Sequence, residues 1–221
     1  MPKRGTLARE KHGADKQLKE ELVIIANPSN EELNELLFFF QKDRLEEAEK
    51  LALRLTDSFP KHPFAWKVLG GVLKKRGRIA ESLPAMRQSV FLASKDAEAH
   101  YNLAITLKEL GLLHEAEASF CRVISLKPDF TDAHGNLGNT LKELGRLEDA
   151  ETCYVRAIEL KPDYAEAYNL LGNTVYQLGR LEEAETLYTR AIELKPGFAE
   201  AHLNLGNTFF ELGRLWDAES V

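Results

Sequence analysis

Between residues 131 and 164 the apolar positions Ala133, Leu137, Leu141 and Leu144 recur at spacings of four, four and three. That is the stripe of one helix face. A second stripe follows at Leu147, Ala150, Tyr154, Ala157 and Ile158. The pattern predicts helices near 132–144 and 147–160. Gly145 lies between them, where a residue free to adopt left-handed angles ends the first helix. Lys161 falls in the last turn of the second helix, where a cation suits the helix dipole. Pro162 then stops the helix, because it lacks an N–H and biases Lys161 away from helical angles.

The same line is written again at a fixed interval. "NLGNTLKELGRLEDAE" at 136–151 returns 34 residues later as "LLGNTVYQLGRLEEAE" and after another 34 as "NLGNTFFELGRLWDAE". Residues 97–130, 131–164 and 165–198 are gapless copies, and 199–221 is a partial one. The first two agree at 19 of 34 positions. A lone helical hairpin leaves half its apolar surface wet, so copies with this period are expected to stack on one another. Small residues mark the expected crossings: Gly138 and Ala150 within a copy, Ala157 against the next, with the Tyr154 ring beside them.

These residues resemble the tetratricopeptide repeat. Its Trp, Leu-Gly, Tyr, Ala, Phe and Pro positions correspond to Trp66, Leu69, Gly70 and Leu73 in one copy. They correspond to His134, Leu137, Gly138, Leu141, Ala150, Tyr154 and Pro162 in another, and to Tyr168, Leu171, Gly172, Val175, Ala184, Tyr188 and Pro196 in a third. The frame extends backward through 63–96, where Ser82, Met86 and Ser94 replace the usual types and Pro84 is expected to delay or kink the second helix. It reaches 29–62, which keeps Ala48 and Pro60 but has Glu35 and Leu36 for the Leu-Gly pair. Ser29 or Asn30 can cap its first helix, with Glu31 and Glu32 in the first turn. The resemblance implies an all-α, right-handed superhelical α-solenoid of antiparallel helix pairs over 29–221, preceded by a basic, flexible segment at 1–28.

Composition narrows the function classes. With 44% hydrophobic and 29% charged residues the chain reads as a folded, water-soluble protein. It has no apolar run long enough to span a membrane and no secretion signal. Cys121 and Cys153 form no disulfide or metal-ligand pattern, which points to the cytoplasm. Residues 1–96 carry 18 Lys+Arg against 14 Asp+Glu, and residues 97–221 carry 11 against 21. An acidic body argues against nucleic acid, whose phosphates need clustered cations.

No chemistry emerges from the remaining candidates. His100, His134 and His202 share one repeat position with Tyr168 and Trp66, so packing is expected and no metal site. Adjacent copies stand about 10 Å apart, too far for shared zinc ligands. The acidic pairs Glu148–Asp149 and Glu182–Glu183 open helices, where they suit the dipole. No phosphate loop is present. Neither a cofactor nor a catalytic residue is expected.

The inner wall formed by the first helices is the better candidate. The resemblance implies that it is a peptide groove, with Asn102, Asn136 and Asn204 in one row and Asn139, Asn173 and Asn207 in another. A carboxamide donates and accepts, so such rows can hold an extended peptide by its backbone. The first row resembles the asparagine ladder of O-GlcNAc transferase, interrupted where Leu170 takes the position and Asn169 moves one place aside. Alternatively the amides bridge adjacent helices and only hold the stack together. Glu98, Asp132, Glu166 and Glu200 edge the groove, which suits a neutral or basic partner rather than an acidic C-terminus. They also suit the helix dipole as first-turn acids.

The chain stops inside the second helix of the last copy without a polar cap, which reads as the front part of a longer polypeptide. The expected function is a protein- or peptide-binding scaffold without catalysis of its own. The alternative is the substrate-recruiting region of a larger transferase, of the O-GlcNAc-transferase or sulfotransferase kind, with its catalytic domain beyond Val221. An uncapped apolar end also predicts self-association.

Overall fold

The structure, a computed structural model, describes residues 27–214. Nearly all of the basic segment expected at 1–28, and the second helix of the last copy, lie outside the described residues. Eleven helices and no strand occur among the described residues. They are α1 (Asn30–Gln41), α2 (Leu45–Ser58), α3 (Pro63–Lys75), α4 (Ile79–Leu92), α5 (Ala97–Glu109), α6 (Leu113–Leu126), α7 (Thr131–Glu143), α8 (Leu147–Leu160), α9 (Ala165–Gln177), α10 (Leu181–Leu194) and α11 (Ala199–Glu211). The chain divides into two compact units within α5, between Asn102 and Leu103.

In the first unit α1 starts with a reciprocal cap. The Ser29 hydroxyl accepts from the Glu32 N–H at 3.2 Å while the Ser29 N–H donates to the Glu32 carboxylate at 3.0 Å. This satisfies two backbone donors that a helix start leaves open. Helices α1 to α4 share one core, built around Leu36, Ala48, Leu55, Ala65 and Val72, all fully buried. Pro84 does not delay α4. The helix begins at Ile79, in register with Leu113, Leu147 and Leu181 at the start of α6, α8 and α10, and runs on to Leu92. Pro84 is exposed, so its ring displaces nothing in the core.

In the second unit α6 to α11 pack in chain order, each against the next. The turn inside each pair is set by a left-handed residue. Gly145 has φ +78°, its N–H donates to the Lys142 carbonyl, and Arg146 N–H reaches back to the Leu141 carbonyl at 2.9 Å. Gly179 repeats this at φ +80°. In the first unit Asp43 stands 34 residues before Gly77 and takes φ +58°, so it marks the same turn in the divergent first copy.

The pairs close through a glycine under a ring. A Cβ at Gly138 would lie 2.6 Å from the Tyr154 ring, and one at Gly172 would lie 2.6 Å from Tyr188. Both rings are buried. Neighbouring copies are then tied by arginines at the start of each second helix. Arg146 reaches Glu117 at 2.6 Å, Arg180 reaches Glu151 at 2.8 Å and Arg214 reaches Glu185 at 2.6 Å. Arg78 and Glu49 do the same in the first unit at 2.6 Å. The arginines are half exposed, so each pair stabilises little and serves mainly to fix register.

Candidate functional site

The shared histidine position is a packing position. His134 Nε2 lies 3.0 Å from the Pro128 carbonyl and His202 Nε2 lies 2.9 Å from the Pro196 carbonyl. In the first unit His100 meets the Ser94 carbonyl at 3.2 Å, and Trp66 donates its indole N–H to the Pro60 carbonyl at 2.8 Å. Each ring nitrogen thus ties the start of a first helix to the carbonyl six residues earlier. No group of His, Cys, Asp or Glu among the described residues could hold a metal ion. Burial pushes the Cys153 thiol up to about 11, and burial followed by the Glu117 charge raises Cys121, so neither is an activated nucleophile.

The asparagines divide by role. Asn102 lies in the first unit, and the other five lie in the second. Asn136 Nδ2 donates to the Asp132 carbonyl of its own helix at 2.9 Å. Asn139 Oδ1 accepts from the Tyr154 hydroxyl at 2.7 Å, and Asn173 Oδ1 accepts from the Tyr188 hydroxyl at 2.8 Å. Those two amides satisfy buried hydroxyls that would otherwise be desolvated without a partner. The copies vary in step. Where Asn139 and Asn173 face tyrosine, residues 97–130 carry Ile105 and Phe120, which need no such bond.

Asn204 joins α11 to α9. Its Nδ2 donates to Asn173 Oδ1 at 2.8 Å and to Asn169 Oδ1 at 3.0 Å. Asn169, only 1% exposed, in turn donates to the Glu200 carboxylate at 3.0 Å. The asparagine displaced by one place in the sequence is therefore drawn between two helices. It was not among the expected site residues, and the slip in register from 170 to 169 was its one signal.

The acidic row is largely engaged. Glu200 accepts from Asn169 and, at 3.5 Å, from Asn173. Glu166 pairs with Lys195 at 2.7 Å, and that hydrogen bond holds its carboxyl below the usual carboxylate range. In the first unit Lys67 takes Asp96 at 2.9 Å and Glu98 at 3.0 Å. Asp132 is exposed.

What remains open is a cleft of about 240 Å³ lined by Lys142 of α7, Asn173, Tyr176 and Gln177 of α9, Tyr188 of α10, and Asn204 and Asn207 of α11. Burial, followed by the nearby Tyr176 and Glu200, raises the Tyr188 hydroxyl, which stays protonated and donates to Asn173. Lys142, Tyr176 and Gln177 were not singled out in the sequence. Lys142 and Tyr176 stand three residues after Asn139 and Asn173, on the same helix face, and that spacing is the signal that finds them. The cleft offers donors and acceptors but no activated acid, base or nucleophile. It can hold a polar chain.

The tetratricopeptide repeat family matches residues 97–130 and the overlapping stretches 138–179 and 172–213. No curated protein matches the chain in sequence. Among solved structures the chain is similar to YrrB, described as a TPR protein with an unusual peptide-binding site, at 19% identity and TM-score 0.73, covering 85% of this chain and 94% of that one. It is similar to MamA of Desulfovibrio magneticus RS-1 at 23% identity and TM-score 0.68, covering 72% and 89%. It is also similar to pilF of Pseudomonas aeruginosa at 16% identity and TM-score 0.72, covering 86% and 87%. At these identities the likeness establishes the fold.

Proposed function

We propose, from the premise that residues 97–130 and 138–213 are tetratricopeptide repeats, that the chain is a scaffold binding an extended segment of another protein. The observation that carries this is the cleft between α7, α9 and α11. The side chains of Tyr176, Gln177 and Asn207 line it and make no hydrogen bond among the described residues. A carboxamide there can take a peptide N–H and carbonyl at once, each bond contributing about 0.5–1.5 kcal/mol net. Asn139 and Asn173 support the wall by fixing Tyr154 and Tyr188, so the ligand-binding amides of this unit are Gln177 and Asn207. YrrB's described peptide-binding site supports the same use of such a repeat array.

The partner is a protein segment read through its backbone, with neither nucleic acid nor membrane involved. No helix among the described residues is long and apolar enough to cross a membrane. A neutral or basic partner, rather than an acidic C-terminus, was expected from the acidic row. With Glu98, Glu166 and Glu200 held by lysines and amides, that row adds little to the choice. The test is selection of displayed peptides on the full chain, followed by measurement of the selected peptide against Asn207→Ala and Gln177→Ala. Binding should weaken several-fold in both variants while the thermal melt stays in place. Peptides that bind the variants as tightly as the native chain would remove the cleft from the function.

One observation favours a second reading, self-association. Leu203 and Phe210 lie seven residues apart on one face of α11, and each is 65% exposed. A second copy covering that face would make the sedimentation coefficient rise with concentration, and Phe210→Ser would flatten the rise. A monomer at all concentrations would exclude it.

A further inference from the structure

We infer that the cleft selects segments bearing an internal acidic side chain, and that Lys142 is the residue that reads it. This rests on the peptide-binding role proposed above and adds the charge of the partner. Lys142 is the one charged side chain among the described residues that line the cleft. Its ammonium makes no ion pair or hydrogen bond among the described residues, whereas Lys108, one copy earlier, is engaged by Glu143 at 3.3 Å. The carboxylate near the site, Glu200, is already held by Asn169 and Asn173. Glu166 is neutralised by Lys195.

The uncharged groups around the ammonium suit the same ligand. The Tyr176 hydroxyl and the carboxamides of Gln177 and Asn207 can donate to carboxylate oxygens that Lys142 attracts. The Tyr188 hydroxyl already donates to Asn173, so it keeps that amide turned as part of the wall. A basic side chain placed here would meet Lys142 and find no unpaired carboxylate among the lining residues. An acidic side chain within the segment, rather than at its end, leaves backbone on both sides to bond Gln177 and Asn207.

The probes are three synthetic peptides of one extended, Gly- and Ser-spaced design. The first carries a central Glu with both termini blocked, the second carries Gln in its place, and the third carries Gln and a free C-terminal carboxylate. Binding to the full chain is followed by amide chemical-shift changes in isotope-labelled protein. The Glu peptide should bind roughly five- to tenfold tighter than the blocked Gln peptide. The preference should vanish in Lys142→Gln and persist in Lys142→Arg, which shows that Lys142→Gln has lost a charge and not the fold. It should also shrink with added salt. Equal binding of the two blocked peptides would overturn the acidic selection while leaving peptide binding intact. Preference for the free C-terminus alone would overturn the internal position. Absence of shifts at the cleft with any of the three would overturn both readings.

Discussion

Gly138 lies directly beneath the Tyr154 ring, so close that a Cβ on it would stand 2.6 Å from Cε1 and 2.9 Å from Cδ1. The ring is fully buried and tied by its hydroxyl to Asn139, so it has no room to step aside. Gly138→Ala should therefore destabilise the second unit. Overpacking costs about 1–3 kcal/mol, against about 1 kcal/mol gained in helix propensity. Gly70 provides the control. Its added Cβ would meet Met86 Cγ at 2.6 Å, and that buried side chain must change its whole rotamer to yield, though it has more rotamers than a hydrogen-bonded ring. Gly70→Ala should destabilise too, but by less than Gly138→Ala. Urea midpoints for the two variants test the contrast, and an equal effect of both would remove the ring's rigidity from the account.

The bond between Tyr154 and Asn139 predicts a coupled pair. Asn139→Ile should leave a buried hydroxyl without a partner and cost about 1–3 kcal/mol. Tyr154→Phe should cost about 1 kcal/mol, since the half-buried amide it abandons can turn to solvent. The double variant recreates the Ile105 and Phe120 combination of residues 97–130, and should recover most of the first loss. Additive losses in a double-mutant cycle would show that Asn139 holds its place for some reason other than the tyrosine.

That pairing also shows what could be read in advance. The 34-residue period, the apolar stripes and the Gly-then-Pro punctuation placed the helices of 131–164 within a residue or so of Thr131–Glu143 and Leu147–Leu160. Such signals are local, and each copy repeats them. The use of the asparagines is not local. Asn139, Asn173 and Asn204 look alike in sequence, yet the first two accept from tyrosine hydroxyls and the third donates across to Asn173 and Asn169. Their partners lie 15 residues away across the pair, or on a neighbouring copy. Only the matched change to Ile105 and Phe120 hinted at the difference. Lys142 escaped notice because one lysine among many solvated ones carries no mark of the cleft it lines.

Asp43 occupies the turn that glycine fills at 77, 111, 145, 179 and 213. At φ +58° its Cβ crowds the following carbonyl, at a cost of roughly 1 kcal/mol. Its carboxylate pairs with Lys75 at 2.9 Å, but both groups are well exposed, so that pair returns only a few tenths of a kcal/mol. Asp43→Gly should therefore stabilise the first unit by about 0.5 kcal/mol, and Asp43→Ala should destabilise it. Calorimetric melts that order the three proteins Gly above Asp above Ala bear this out. A native chain more stable than the glycine variant would mean that the Lys75 pair outweighs the strain.

Two buried hydroxyls and a half-buried thiol make the fold sensitive to alkali. Burial raises the Cys153 thiol from its ordinary 9.0 to about 11. Burial likewise holds the Tyr154 and Tyr188 hydroxyls well above their ordinary 10.0. In the unfolded chain these groups give up their protons first, so the folded state binds more protons at high pH. Their contribution to stability is complete below pH 9 and is lost as pH rises through the folded values. Denaturant midpoints should hold steady near neutrality and decline from about pH 9 upward. Cys153→Ala should remove the part of the decline that sets in near pH 9, on the order of 1 kcal/mol, and leave the tyrosine part, which sets in near pH 10. The same burial should delay alkylation of Cys153 in the folded protein relative to the exposed Cys121. A midpoint that stays flat to pH 11, or a Cys153→Ala curve that falls with the native one throughout, would show that the thiol ionises without cost where it sits.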